Sequence, residues 1–129
     1  LSCSSVQFAL GLRLDLNRIG HACKQNTYKP DDSKTLFCVD AIQSLGAMTF
    51  DVQACDADFV VADGHKWMCG PEGTALFYCR QAVQPQLQLQ QFGWHMLKNA
   101  FDFSAEQDDQ ALDDLIIDGA QRFECGSPN

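Results

Sequence analysis

Three short apolar runs, separated by polar or helical stretches, constrain the fold of this chain more than any other feature. They occupy residues 35–39, 58–62 and 74–79. Uninterrupted apolar runs of this length are typical of strands that are covered on both faces of a sheet. Helices or loops between successive strands are the pattern of α/β proteins. The sequence therefore predicts an α/β fold with a mainly parallel sheet and flanking helices.

The segment before the first run predicts one more strand and a helix. Residues 6–10 read as an alternating or edge strand. Asp15 has a side chain suited to cap the N-terminus of the helix that follows. One face of that helix would carry apolar residues at spacings of three and four: Leu16, Ile19, Ala22 and Cys23. Residues 25–34 are polar and predict a loop.

The pattern is weaker beyond residue 80. Residues 81–91 are rich in glutamine and predict either a short exposed strand or a loop. Residues 102–118 carry seven acids and predict a solvated, partly helical surface. No repeat or convincing linker divides the 129 residues, a length sufficient for one domain.

Composition excludes several partners. The net charge of −8 argues against nucleic acid or an anionic membrane as a partner. No apolar stretch approaches the roughly 20 residues of a membrane span, and no charged-then-apolar leader opens the chain. The seven cysteines include no CxxC pair, which disfavours a disulfide framework or a zinc site. We therefore expect mostly reduced core cysteines, no bound metal and a cytoplasmic protein.

Two charged residues follow predicted strands at positions that suit a binding site. Asp40 comes directly after the strand at 36–39, and Lys66 comes four residues after the strand at 59–62. Open α/β sheets bind ligands outside the carboxyl ends of their strands, so both residues could face one crevice. Taken alone, an aspartate such as Asp40 is more often a strand-end turn residue or helix cap, and a lysine such as Lys66 is more often a surface lysine.

Neighbouring polar residues add to this pattern without deciding it. Gln43, three residues beyond Asp40, would share its face if the turn is helical. His65 is on its own also interpretable as a hydrogen-bonded structural histidine. The sequence Gly-Pro-Glu-Gly at residues 70–73 by itself predicts a loop before a strand.

The order of these motifs resembles that of a known family. The chain presents Asp-x-x-Gln at 40–43, Gly-His-Lys at 64–66, Gly-Pro-x-Gly at 70–73 and Arg-Phe-Glu-x-Gly-Ser-Pro-Asn at 122–129. This series is similar to that of the class V aminotransferases and cysteine desulfurases, a branch of the fold-type-I pyridoxal phosphate enzymes. The resemblance runs from about Ser4 to Asn129. It implies that residues 1–129 are a fragment of the cofactor-binding large domain, with no complete second domain.

The resemblance implies a role for each of five residues. Lys66 would form the internal aldimine with pyridoxal 5'-phosphate and later move the proton at the substrate α-carbon. Asp40 would pair with the pyridine nitrogen, and Gln43 would donate to the phenolic oxygen. His65 would lie near the phosphate. Ser127 stands where the family has a threonine that reaches the phosphate of a neighbouring subunit, which implies a homodimer.

The implied function is a pyridoxal-phosphate-dependent reaction on a small amino acid, either transamination or cysteine desulfuration. The family's arginine for the substrate carboxylate and its desulfurase loop cysteine lie beyond the matched segment, so we expect the fragment alone to be poorly active. The alternative is a non-catalytic remnant or an acidic α/β interaction module. Asp63 replaces a serine that binds the phosphate in many family members, and a carboxylate there would repel the phosphate. Asp63 is therefore given no role.

Overall fold

The computed structural model describes residues 1–25, 34–102 and 112–127. The chain forms two compact units, Leu1–Arg80 and Gln81–Asn129. The first unit contains a four-stranded sheet in the order β1-β2-β3-β4. Its strands are β1 (Ser2–Ser4), β2 (Cys38–Asp40), β3 (Phe59–Asp63) and β4 (Ala75–Cys79). Strands β1, β2 and β3 are parallel and β4 is antiparallel to β3, which confirms the predicted α/β fold with a mainly parallel sheet.

The predicted first strand at residues 6–10 is wrong. The strand lies earlier, at β1, and residues 8–10 form a turn. Gly11, with a φ of 64°, lets the chain reverse so that the Gln7 N–H donates to the Leu12 carbonyl at 2.8 Å. Two apolar side chains of this segment consequently point into solvent: Phe8 is 82% exposed and Leu10 is 83% exposed.

The predicted helix is present as α1 (Leu16–Gln25). The backbone N–H of Arg18 donates to Asp15 Oδ1 at 3.1 Å, as expected of a capping aspartate. Cys23 is buried in the core, and Leu16 and Ile19 pack against it. Ala22 is exposed, so its predicted place on the buried face is wrong.

The core lies on the face of the sheet that packs against α1. Val39, Val60 and Ala62 are buried there with Phe37 and Cys23. The opposite face carries Val61 and Phe77, which are 39% and 45% exposed. Within the described residues, the predicted coverage of β3 and β4 on both faces is therefore wrong. Strand β2 also begins later than the predicted residue 35, because only Cys38–Asp40 pair with both neighbouring strands.

A buried carboxylate ties the elements together at the amino ends of β2 and β3. Asp58 is only 2% exposed and accepts a hydrogen bond from the Phe37 N–H at 2.8 Å. Lys24 Nζ pairs with its Oδ2, and Arg80 Nε lies 3.1 Å from its Oδ1. The cluster joins α1, the chain entering β2 and β3, and the end of β4.

The second unit is built from short turns. Its elements are the 3₁₀ turns Gln84–Gln86, Trp94–Met96 and Ala120–Phe123 and the helix α2 (Leu112–Leu115). Leu97 and Ile116 form an isolated antiparallel bridge, and Met96 is buried. Residues 81–91 form a 3₁₀ turn and irregular chain, so a loop is the correct alternative there. Residues 26–33 of the predicted loop and 103–111 of the predicted acidic surface lie outside the described residues.

All seven cysteines fall within the described residues, and no disulfide joins them. Three of the seven, Cys23, Cys55 and Cys79, are buried as predicted for core thiols, whereas Cys69 is exposed and the other three are half-buried. Burial raises the pKa of the Cys55 and Cys79 thiols.

In the part of the chain that the structure describes, no helix has both the length and the apolarity needed to cross a membrane.

Candidate active site

The carboxyl ends of β2 and β3 lie side by side at one edge of the sheet. Asp40, the last residue of β2, is the register partner of Val61 in β3. The backbone pairing continues one residue further, where the Ala41 N–H donates to the Val61 carbonyl at 2.8 Å. Lys66 lies in the loop that begins where β3 ends at Asp63. The segments that carry Asp40 and Lys66 therefore leave the sheet at the same edge.

Gly46 brings these two segments into direct contact. Its φ is 88°, and a Cβ built on it would lie 2.4 Å from the carbonyl oxygen of Trp67. Only glycine allows such an approach between backbones. The turn after β2 thus packs against the residue that follows Lys66. Nothing local in the sequence reveals this contact.

The loop that carries Lys66 is closed by backbone hydrogen bonds. The Gly64 N–H donates to the Thr74 carbonyl at 2.7 Å, and the Gly70 N–H donates to the Gly64 carbonyl at 2.8 Å. Within the loop, the Cys69 N–H donates to the Lys66 carbonyl at 3.0 Å. Lys66 is half-buried, which differs from an ordinary surface lysine.

Within the described part of the chain, the donors to the Asp40 carboxylate are neutral. Its Oδ1 accepts the Ile42 N–H at 3.0 Å, and its Oδ2 accepts the Ser4 hydroxyl at 3.2 Å. Among the described residues, no lysine, arginine or histidine forms an ion pair with Asp40. Each carboxylate oxygen can accept more than one hydrogen bond, so Asp40 keeps acceptor capacity for a further donor. A protonated pyridine nitrogen is a donor that fits this carboxylate.

Gln43 lies in a helical turn directly after β2. The Leu45 N–H donates to the Ala41 carbonyl at 2.9 Å, the i to i+4 pattern of a helical turn. The turn begins at Ala41, after the last residue of β2, so a shared face for Gln43 and Asp40 stays a prediction. Gln43 is half-buried at the edge that Asp40 occupies.

His65 lies near the unassigned Asp63. Its Nδ1 is 4.0 Å from Asp63 Oδ2, and the Asp63 side chain is 53% exposed. A protonated His65 would offset part of the Asp63 charge at this distance.

Ser127 belongs to the second unit and is exposed. The other four predicted residues, Asp40, Gln43, His65 and Lys66, all lie in the first unit.

A cavity of about 450 Å³ opens elsewhere in the first unit, beside the start of α1. Its lining comes from residues 5–17 and 44–55 and includes none of Asp40, Gln43, His65 and Lys66. Strand topology, and not this cavity, therefore defines the candidate site.

Comparison with known families assigns the chain to one of them. The model of the family "Aminotransferase class-V" matches residues 1–129. The chain therefore belongs to the class V aminotransferase family, whose members, cysteine desulfurases included, depend on pyridoxal phosphate.

Two similar proteins are named as cysteine desulfurases. A probable cysteine desulfurase of Methanothermobacter thermautotrophicus is 32% identical over 129 residues, which are 100% of this chain and 28% of the relative. Cysteine desulfurase IscS of Photobacterium profundum is 33% identical over 93 residues, which are 72% of this chain and 21% of the relative. The chain thus spans less than a third of these relatives.

A solved structure shares the fold at comparable coverage. The apo cysteine desulfurase of Thermococcus onnurineus NA1 superposes with a TM-score of 0.77 at 28% identity, over 99% of this chain and 28% of that protein. The architecture is that of the fold-type-I enzymes, as the sequence predicted.

Proposed function

We propose that this chain is the cofactor-holding part of a pyridoxal-phosphate-dependent enzyme that acts on a small amino acid by transamination or cysteine desulfuration. The observation that carries the proposal is the contact of Gly46 with Trp67, which joins the Asp40 segment to the Lys66 loop at one sheet edge. The names of the relatives, which are cysteine desulfurases, favour desulfuration.

The proposed roles follow from the chemistry of each side chain. Bound pyridoxal phosphate supplies an aldehyde carbon and a ring that accepts electrons from a broken substrate bond. The Lys66 amine would hold the cofactor at that aldehyde and, once released, move the proton at the substrate α-carbon. The Asp40 carboxylate would keep the pyridine nitrogen protonated. The Gln43 amide would donate to the phenolic oxygen.

His65 would lie beside the phosphate and between two negative groups. Asp63 Oδ2 is 4.0 Å from its Nδ1. An imidazolium there would attract both the Asp63 carboxylate and the phosphate, which offsets the repulsion between them.

Ser127 would act in a homodimer. Its exposed hydroxyl would bind the phosphate at the site of a second copy of the chain, as a donor available to an anion. We place this dimer in the cytoplasm, since seven cysteines without a disulfide are usual in a reducing compartment.

Borohydride trapping tests the proposal. The chain is incubated with pyridoxal phosphate, reduced with borohydride, digested and mapped by mass spectrometry. We expect the label on Lys66 in preference to the other four lysines, Lys24, Lys29, Lys34 and Lys98. Lys98 is the matched control, because it is an exposed lysine of the second unit.

Two lysine variants test whether the label is specific to Lys66. Lys66→Ala should abolish the specific label, and Lys98→Ala should leave it unchanged. A label spread evenly over the exposed lysines, or no label at all, contradicts the proposed function.

A further inference from the structure

Two consecutive serines at the end of β1 have opposite surroundings. Ser4 shares a face of the sheet with Asp40, its register partner across the parallel pair. The hydroxyl of Ser5 is buried and pairs with the Ser44 hydroxyl at 2.7 Å. Alternate residues of a strand point to opposite faces, which explains why only one of the two serines reaches Asp40.

The position of Ser4 relative to Asp40 is fixed by the backbone. The Ser5 N–H donates to the Asp40 carbonyl at 2.8 Å, directly beside the two side chains. The Ser4 hydroxyl then donates to Asp40 Oδ2 at 3.2 Å. Because the strand pairing sets this geometry, the hydroxyl is available to the carboxylate without a cost of ordering a loop.

The two hydrogen bonds to Asp40 hold its carboxyl group from both sides. The Ile42 N–H donates to Oδ1, and the Ser4 hydroxyl donates to Oδ2. A carboxylate with only one donor could rotate about its Cβ–Cγ bond, since that torsion is broad. With one donor on each oxygen the plane of the group is set, and its remaining acceptor positions point in fixed directions.

We infer that Ser4 is a positioning residue for Asp40. Its hydroxyl holds Oδ2 so that the carboxylate presents a fixed acceptor to the protonated pyridine nitrogen of the cofactor. The inference rests on the proposed function, because it requires the cofactor nitrogen to lie at Asp40. Ser4 itself touches the carboxylate and not the cofactor.

The test reads the pyridine nitrogen directly. Pyridoxal phosphate labelled with ¹⁵N is reduced onto Lys66 of the chain, and the ¹⁵N chemical shift is followed against pH. The reference is the same labelled cofactor reduced onto N-acetyl-lysine in solution. The pH at which the nitrogen loses its proton measures how well Asp40 stabilises the pyridinium.

Ser4→Ala is expected to lower that pH by about 0.5 to 1 unit, because a carboxylate that has lost the donor on Oδ2 can rotate and presents its acceptor to the pyridinium less well. Ser4→Thr keeps a hydroxyl and should restore the wild-type value. Ser2→Ala is the matched control, because Ser2 lies on the same strand and face but pairs with Cys38, and it should change nothing. If Ser4→Ala does not fold, Ser4→Cys, whose thiol is a weak donor, should show the same fall.

The outcomes separate the two proposals. If the label reaches Lys66 but Ser4→Ala and wild type release the proton at the same pH, the role of Ser4 is wrong and the proposed function stands. An equal fall in Ser2→Ala or in Ser4→Thr also overturns it, since the effect would then be structural. If no label reaches Lys66, both proposals fail together.

Discussion

The edge of the sheet at the amino ends of β2 and β3 holds Asp58, the edge at their carboxyl ends holds Asp40, and these two carboxylates have opposite kinds of partners. Asp58, at the amino ends of β2 and β3, is 2% exposed and pairs with Lys24 and Arg80. Asp40, at the carboxyl ends, is half-buried, and among the described residues its carboxylate accepts from the Ser4 hydroxyl and the Ile42 N–H. A carboxylate neutralised by the protein's own cations stabilises the fold. A carboxylate that has no cationic partner among the described residues is suited to bind a cation from another molecule.

The contacts around Asp58 and Asp40 show the same contrast. At the amino edge the contacts join elements of the core, from α1 to the end of β4. At the carboxyl edge they join loops, through the contact of Gly46 with Trp67. We therefore expect loss of the Asp58 carboxylate to change stability, and loss of the Asp40 carboxylate to change cofactor binding.

The largest effect on stability should come from Asp58→Asn. This change leaves Lys24 and Arg80 without a buried counter-charge, and breaking a buried ion pair of this kind costs about 3 kcal/mol. Urea unfolding of the chain measures the change. Asp56→Asn is the matched control, because Asp56 pairs with the same Arg80 but its side chain is 45% exposed. It should cost under about 1 kcal/mol, and equal losses in the two variants would contradict the contrast.

The next effect should come from Gly46→Ala. A Cβ would meet the Trp67 carbonyl oxygen at 2.4 Å, so the turn must move away from the Lys66 loop. We expect a loss of about 2 kcal/mol in unfolding free energy and a weaker borohydride label on Lys66. Gly11→Ala controls for backbone strain, since Gly11 also has a positive φ but a Cβ added there would meet nothing within 4 Å. It should cost about 1 kcal/mol and leave the label intact.

A smaller effect is expected in the alkylation rates of two cysteines. Cys79 lies at the amino edge, where burial and, secondarily, the Asp58 charge raise the pKa of its thiol. Less thiolate therefore forms near pH 8. Cys69 lies exposed in the Lys66 loop. Alkylation with iodoacetamide, followed by peptide mapping, should modify Cys69 at least about 10-fold faster, and equal rates would contradict the burial of the amino edge.

The smallest effect on stability should come from Asp40→Asn. The Ile42 N–H and the Ser4 hydroxyl can still donate to the amide oxygen or to solvent at this half-buried position. The free energy of unfolding, measured in urea, should therefore change by under about 1 kcal/mol. A loss as large as that of Asp58→Asn would mean that Asp40 is also structural.

Local patterns in the sequence predicted much of this fold. The apolar runs located β3 and β4, and Asp15 marked the start of α1, because strand burial and helix capping depend on nearby residues. The predicted position of the first strand was wrong, because the position of β1 depends on its pairing with β2, more than thirty residues away in the sequence. Exposure of Val61 was also not predicted, since it depends on what covers the outer face.

The candidate site divides in the same way. Asp40 and the loop of Lys66 could be placed at one edge because parallel strands end together, whereas the face that Gln43 occupies stays a prediction. The contacts of Gly46 with Trp67 and of Ser4 with Asp40 could not be predicted, since each joins residues distant in the sequence. The family motifs supplied the roles of the residues, which spacing alone left open.

The most direct test of the central claim is the protonation of the pyridine nitrogen in the adduct on Lys66, compared between wild type and Asp40→Asn. If Asp40 lies opposite the cofactor, the wild-type nitrogen keeps its proton to a pH at least about one unit above that of the N-acetyl-lysine adduct, and Asp40→Asn removes the difference. A wild-type nitrogen that titrates like the free adduct would contradict the claim that Asp40 and Lys66 form one site.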